Sequence, residues 1–380
     1  MLEFLYMQHF LSSSFEVAPR YTNLRPVKIK GSNIIWMCHN SSASDNLLGI
    51  QVAIKKIYQP FARSDLCRRA YLELKQLKLL KHENVLPQPN PLFLRTSICT
   101  ICIDPLTNLY LISQHQGMTL DQCLASSTLQ QYARVFFYQL LRGLKYLHSA
   151  NIVHCDLKPS SILITRGCDL QITGLGHSRI HGERVTIDHV YDNANQCYQA
   201  PELMLDAQTY HPAMDMWAAG CVLAEMINGC PLFSEERCTN QLYAIIKLLG
   251  YAPGDLMDGL SSGNSLPARD WKPLRKHIST SDNEALDLLE QLLDFDPAIR
   301  YPATQALEHV YVSLYHDLAD ELTSDKTWSV ADLDYAEWPV NDWKTLIPTS
   351  HHDLASRFPL PPATRTRSKH APSVPLHGPI

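Results

Sequence analysis

The chain has 380 residues, 45% of them hydrophobic, with 33 basic and 38 acidic side chains and a formal net charge of -5. That length accommodates two lobes around a cleft and a sizeable core. The acidic balance excludes a general nucleic-acid binder, so no direct nucleic-acid partner is expected. The opening run "MLEFLYMQHFLSSSF" is apolar but short, carries Glu3 and lacks a basic start, so it is not read as a signal peptide. No apolar run reaches the roughly 18 residues of a membrane span, and no membrane partner is expected. Of the eleven cysteines, only Cys99 and Cys102, in "CTIC", form a close pair. Without a second pair, zinc is not expected. Unbridged cysteines without an export signal point to a reducing compartment, cytoplasmic, nuclear or both.

In chain order, "QVAIKKIY" (51–58) mixes β-branched residues with a basic pair and predicts a strand. "SDLCRRAYLELKQLKLLKH" predicts a helix, with Ser64 or Asp65 as its cap and Leu66, Ala70, Leu74 and Leu77 near helical spacing. "NLYLISQ" is a further strand. Residues to about 115 therefore form a small strand-rich lobe with one long helix. Beyond the polar "SQHQ" (113–116), from near Gly117, the pattern becomes mostly helical. "LQQYARVFFYQLLRGLKYLHSA" is a buried helix. "SILIT" and "DLQIT" form a short strand pair with Arg166 and Gly167 at the turn. "YHPAMDMWAAGCVLAEMINGC" is an apolar core helix, and "SDNEALDLLEQLLDFDPAIR" is amphipathic with a cap at its start. The class is α+β, and no internal repeat is present. Beyond about Thr349 the proline-rich "PPATRTRSKHAPSVPLHGPI" predicts disorder. Its basic cluster, Arg365, Arg367 and Lys369, reads as a solvated tail or as a partner or import signal.

The words "VAIKK", "KHENV", "FFYQLLRGLKYLHSANIVHCDLKPS", "APELML", "MDMWAAGC" and "LLDFDPAIR" occur in this order. Their order and spacing resemble the mitogen-activated protein kinases, closest to the stress-activated branch, from about Phe15 to Leu346. The resemblance implies a bilobal protein-kinase fold. Its divisions would be an N-terminal extension (1–20), a small lobe (21–116), a large lobe (117–312), a family C-terminal extension packing on the lobes (313–348) and a tail (349–380). It also implies a serine/threonine kinase using ATP and Mg2+. Lys55 matches the lysine that pairs with nucleotide phosphates, and Glu73 matches its ion-pair partner. Asp156 matches the carboxylate that receives the substrate hydroxyl proton, with Lys158 near the transferred phosphoryl group. His154 and Asp215 match groups that brace this loop, and Glu202 and Arg300 match an ion pair of the large lobe.

The departures converge on phosphate, metal and activation. Lys28, Lys30 and Asn33 stand where three glycines would let backbone amides approach phosphate, with Gly31 between them. The metal-binding word reads Gly174-Leu175-Gly176, so its aspartate is absent, and the asparagine that supplies a second magnesium ligand aligns with Ser161. No metal-ligating residue is therefore assigned. Asp169 lies on the wrong side of its strand to rescue the site. Val190, Tyr191 and Asp192 cover the triplet that carries the two activating phosphates, Thr186 and Tyr191 are wrongly spaced, and Cys155 replaces the arginine that reads them. "ANQCYQAPE" lacks the family's arginines as well, and an arginine–phosphate switch needs both charges. Two readings follow. One is a binding or scaffolding component of stress-type MAP kinase signalling with impaired catalysis. The other is a weak or atypical ATP-dependent serine/threonine kinase. By resemblance, Asp317, Asp320 and Glu321 in "YHDLADE" form an acidic patch, with Ala319 replacing one acid. The patch would hold basic docking peptides of MAP kinase kinases, phosphatases or substrates, or else is a solvated charge cluster. A neighbouring docking turn carries Arg166 and Gly167 in place of an acidic pair.

Overall fold

The computed structural model describes residues 6–10, 13–17, 21–28, 38–45, 50–85, 102–103, 108–114, 117–124, 127–185, 196–205, 207–233, 238–250, 272–329 and 339–346. Cys99, Lys30, Gly31, Asn33, Thr186, Val190, Tyr191, Asp192 and the basic cluster of the tail lie outside the described residues. A hairpin of β1 (Tyr6–Phe10) and β2 (Ser13–Val17) comes first. The small lobe is a five-stranded antiparallel sheet, in the order β3 (Tyr21–Lys28), β4 (Cys38–Asp45), β5 (Ile50–Tyr58), β7 (Asn108–Gln114) and β6 (Cys102–Ile103). Strand side chains alternate between faces. Val52 and Ile54 therefore go into the core while Lys55, opposite Leu111 of β7, turns to the other face.

Helix α1 (Ser64–Leu79) buries Leu66, Ala70 and Leu74 on one stripe. Neither expected cap operates. The N-cap residue is Arg63, which makes no side-chain cap bond; Ser64 Oγ instead accepts the indole N–H of Trp343 at 3.0 Å, and Asp65 pairs with Arg63. Ser64 lies one residue inside the helix, where its hydroxyl holds a tertiary contact.

In the large lobe β10 (Ile162–Thr165) lies between β8 (Gly117–Thr119) and β11 (Leu170–Ile172). The turn between β10 and β11 passes through Arg166 and Gly167, and Cys168 closes it at φ 64°. Thr165 Oγ1 accepts from the Gly167 and Asp169 amides and donates to the Asp169 carboxylate, so Asp169 is committed to the turn. Helix α2 (Leu120–Cys123) leads into α3 (Ser127–Ser149), and the short β9 (Ile152–Val153) pairs with β12 (Arg179–Ile180). After α4 (Pro201–Leu205), helix α5 (Pro212–Asn228) is buried along nearly its whole length. Helices α6 (Cys238–Leu248), α7 (Lys272–His277), α8 (Asn283–Leu292) and α9 (Ala303–Glu308) complete this lobe among the described residues. Asp282 caps α8, accepting from the amides of Glu284 and Ala285.

The C-terminal extension straps the lobes. The Trp328 amide donates to Ala150 O at 2.9 Å. Helix α10 (Val340–Leu346) lays the buried Trp343 against Tyr71 of α1, with ring centroids 5.5 Å apart.

Candidate active site

β5 and α1 bring Lys55 and Glu73 into direct contact, 18 residues apart in sequence. Glu73 is buried and Lys55 half-buried, so the pair is screened less than a surface pair. The backbone of Gly176 presses on it: a Cβ at this position would lie 2.9 Å from Glu73 Oε2 and 3.4 Å from Lys55 Nζ.

The loop after β9 carries the second pair. Lys158 Nζ donates to both carboxylate oxygens of Asp156, at 2.7 and 2.6 Å. The loop is fixed from beneath by Asp215 of α5. Its carboxylate accepts from the amides of His154 (2.8 Å) and Cys155 (2.9 Å) and contacts His148 Nε2 at 2.8 Å. Burial alone would raise the Asp215 pKa, but the hydrogen bond and charge of His148, with support from His154, hold it below the usual carboxylate value. His154 Nδ1 accepts from the Asp156 amide, so its Nε2 carries the proton toward Thr173 O at 2.8 Å. Cys155 takes a left-handed φ of 63° at the turn. Its thiol is pushed well above its ordinary pKa by burial and by Asp215, which makes it an unreactive packing group.

The two expected metal positions face each other. Gly174 has φ 82° and ψ 32°, and a Cβ placed on it would sit 3.5 Å from Ser161 Cβ. Ser161 Oγ accepts from the Lys158 amide at 3.0 Å and donates to Lys158 O at 2.9 Å, so it is directed into its own loop. Mg2+ requires several hard oxygen ligands in near-octahedral order. A glycine and a self-bonded serine do not fit that requirement. The neighbouring carboxylates, Asp156 and Glu73, are each engaged by a lysine. Among the described residues, no group of three His, Cys, Asp or Glu side chains is arranged to hold a metal. His177, beyond Gly176, is held neutral: burial lowers its pKa well below the usual value, and Arg69 and Lys158 lower it further.

Lys28 ends β3, opposite Asn40. The structure thus joins Lys55 to Glu73, the ion pair that the resemblance implies, and joins Asp156 to Lys158, a contact the sequence reading did not specify. Sequence reasoning missed what fixes α1 to the segment after Gly176. The Gln76 amide and Ser178 hydroxyl exchange hydrogen bonds of 2.7 and 2.9 Å in a buried position. Arg68 Nη2 lies 2.9 Å from Glu183 Oε1. These are ordinary polar residues in polar stretches, and no spacing pattern marks them.

The acidic patch divides. Asp317 and Asp320 are exposed. Glu321 is buried, its carboxylate shared between Lys145 (3.0 Å) and His316 (2.6 Å). The large-lobe ion pair forms as a two-pronged contact, Arg300 to Glu202 at 2.6 and 2.7 Å.

Comparison with known proteins agrees with this architecture. Residues 41–312 match the protein kinase domain family. The chain is 41% identical over 356 residues to the mitogen-activated protein kinase hog1 of Trichoderma harzianum, covering 91% of this chain and 94% of the relative. It is also 41% identical to HOG1 of Gibberella zeae, covering 91% of this chain and 93% of that one. The same identity relates it to the mitogen-activated protein kinase sakA of Aspergillus fumigatus, with 91% of each covered.

Proposed function

We propose, from the premise that this chain belongs to the mitogen-activated protein kinase family, that it is a binding or scaffolding component of stress-type MAP kinase signalling with impaired phosphoryl transfer. One observation carries the reading: Gly174 and the inward-turned Ser161 occupy the two expected metal-ligand positions, and neither presents a ligand. Metal stabilisation in phosphoryl transfer is worth several kcal/mol, and each ~1.4 kcal/mol is about tenfold in rate. On this reading, loss of both ligands lowers the rate by orders of magnitude.

The formed Lys55–Glu73 pair supports ATP as a ligand, since a lysine held at a strand by a carboxylate is placed to meet phosphate charge. The exposed Asp317 and Asp320 suit basic docking peptides from MAP kinase kinases, phosphatases or substrates, and binding these in competition with active relatives is the scaffold role. Action in the cytoplasm, the nucleus or both belongs to the same proposal. A second reading, a weak or atypical serine/threonine kinase, is favoured by the retained Asp156–Lys158 pair together with the Lys55–Glu73 pair.

Calorimetric ATP titration of the purified chain, with and without Mg2+, separates the readings when run beside Lys55→Ala. The expected result is binding that Mg2+ does not tighten and that Lys55→Ala abolishes. Binding tightened by Mg2+ overturns the metal argument. Phosphoryl transfer lost in Asp156→Ala then establishes the second reading. The reverse experiment installs Gly174→Asp with Ser161→Asn. Aspartate and asparagine tolerate the left-handed region better than other side chains, and among the described residues the one neighbour within 4 Å of the new Cβ, Ser161 Cβ, is at ordinary contact distance. Mg2+-dependent tightening should appear in this variant.

A further inference from the structure

We infer that Glu183 is a positioning residue: a permanent carboxylate in the segment after β12 that holds α1 inward through Arg68, and so keeps Glu73 on Lys55. The inference rests on the nucleotide-site reading only for what the Lys55–Glu73 pair serves; the brace itself stands separately.

Arg68, Glu73 and Gln76 fall within about 140° of arc on α1 at ~100° per residue, so one side of the helix carries all three. Each finds its partner outside the helix. Glu73 meets Lys55 of β5, Gln76 meets Ser178, and Arg68 meets Glu183 at 2.9 Å. The last two contacts cross from the small lobe to the segment that follows Gly176.

Glu183 is itself fixed to the large lobe. Its Oε2 accepts the Ile180 amide at 3.2 Å, and its own amide donates to Ile180 O at 3.0 Å. Its carbonyl accepts from the Tyr210 amide at 2.9 Å, and Gly182 N donates to Tyr210 O at 2.9 Å. β12 immediately before it pairs with β9, which leads into the Asp156 loop. Arg179, buried and 3.7 Å from Glu183 Oε1, places a second guanidinium on the same carboxylate oxygen, and it also donates to the carbonyls of His177 and Ser178. Glu183 therefore sits between a guanidinium of the small lobe and one of the large lobe. Both Arg68 and Glu183 side chains are largely shielded, at 16% and 14% exposure, so their attraction is weakened little by salt.

In kinase activation loops generally, phosphorylation supplies the anion that orders the loop through new arginine pairs. Here a side chain supplies an anion between two arginines, and its charge is present without modification. The brace thus makes the inward position of α1 a constitutive property of the chain.

The test uses the full chain with Glu183→Gln, Arg68→Gln and the double variant. Hydrogen exchange is followed in α1, with α3 and α5 as references, and Lys55 labelling by an amine-acylating reagent is quantified by mass spectrometry. Each single variant should speed α1 exchange at least about fivefold and raise Lys55 labelling, leaving α3 and α5 unchanged. The double variant should go no further than the singles, and Arg68→Lys should restore most of the protection. Arg68→Gln leaves the Ile180–Glu183 turn intact, so it decides the matter even where Glu183→Gln loosens the whole lobe. Wild-type α1 exchange and Lys55 labelling in Arg68→Gln overturn the proposal. A failure of the wild-type chain to bind ATP would count against the nucleotide reading and leave this result standing.

Discussion

His82 follows α1 and is buried beneath the ring of Tyr146, with centroids 4.8 Å apart. Its Nδ1 accepts the Asn84 amide at 3.0 Å. Burial, reinforced by the charge of Arg142, lowers its pKa from 6.5 to about 3. The folded chain therefore binds fewer protons at this residue than the unfolded chain between those two values. The stabilisation is fully present above pH 6.5 and is lost as pH falls below it toward 3, at about 1.4 kcal/mol per pH unit. His177 acts in the same direction, since burial also holds it neutral. Urea denaturation between pH 4 and 6 should show this slope, and His82→Gln should reduce it by about one proton. An unchanged slope in that variant would assign the acid sensitivity elsewhere. The sequence does not announce this titration, because the word "KHENV" marks family resemblance while the shift comes from packing against Tyr146, which is 64 residues distant and only the fold supplies. The family resemblance, read word by word, placed Gly174 and Ser161 where metal ligands are expected, and the change of residue type is visible in the sequence. The inward rotation of Ser161 Oγ was not visible, since it depends on the path of the loop.

At the scale of the element, α1 was legible as a helix from the spacing of Leu66, Ala70 and Leu74, and its placement was not. The apolar stripe reports one buried face; the contacts that fix its orientation come from residues more than a hundred positions away. On one side are Ser178 and Glu183, and on the other are Trp343 and Trp328, with Lys75 Nζ 4.8 Å above the Trp328 ring. Trp343 is 1% exposed and combines ring contact with Tyr71 and a 3.0 Å bond to Ser64. Trp343→Ala should therefore cost about 3–5 kcal/mol, the range for truncating a large buried aromatic. Exchange in α1 should rise in this variant before exchange in α5. Thermal denaturation matching wild type would show that α10 merely rests on α1. The same element explains the failed cap expectation: a serine at a helix start suits local capping, but here its hydroxyl serves the strap. The β10–β11 pair was easier to read, because its two strands and turn lie within 11 residues and local pattern suffices.

At the scale of the molecule, some charges are buried and paired within the fold while others face solvent. Asp215 and the Arg300–Glu202 pair are of the first kind, and a buried ion broken by removal of one partner typically costs about 3–5 kcal/mol. The segment 317–321 contains both kinds within five residues. The family resemblance grouped Asp317, Asp320 and Glu321 in "YHDLADE", where nothing in the local sequence tells the three acids apart. The fold separates them, since Lys145 on the inner side of α3 captures Glu321 while its neighbours face solvent. The separation predicts opposite phenotypes. Asp317→Asn with Asp320→Asn should weaken binding of a synthetic arginine- and lysine-rich peptide by roughly 2- to 10-fold, as expected for exposed charge pairs. The loss should be largest at low ionic strength, with the melting temperature unchanged. Glu321→Gln should instead lower the melting temperature, because it leaves Lys145, with a side chain 12% exposed, short of its counter-charge. Peptide affinity at a temperature where this variant is folded should stay near wild type. If Glu321→Gln weakens the peptide while the fold is untouched, its carboxylate leaves Lys145 to reach the partner, and the division into inner and outer charges fails. If the double aspartate variant binds as wild type does, the two exposed acids are a solvated cluster and basic partners dock elsewhere.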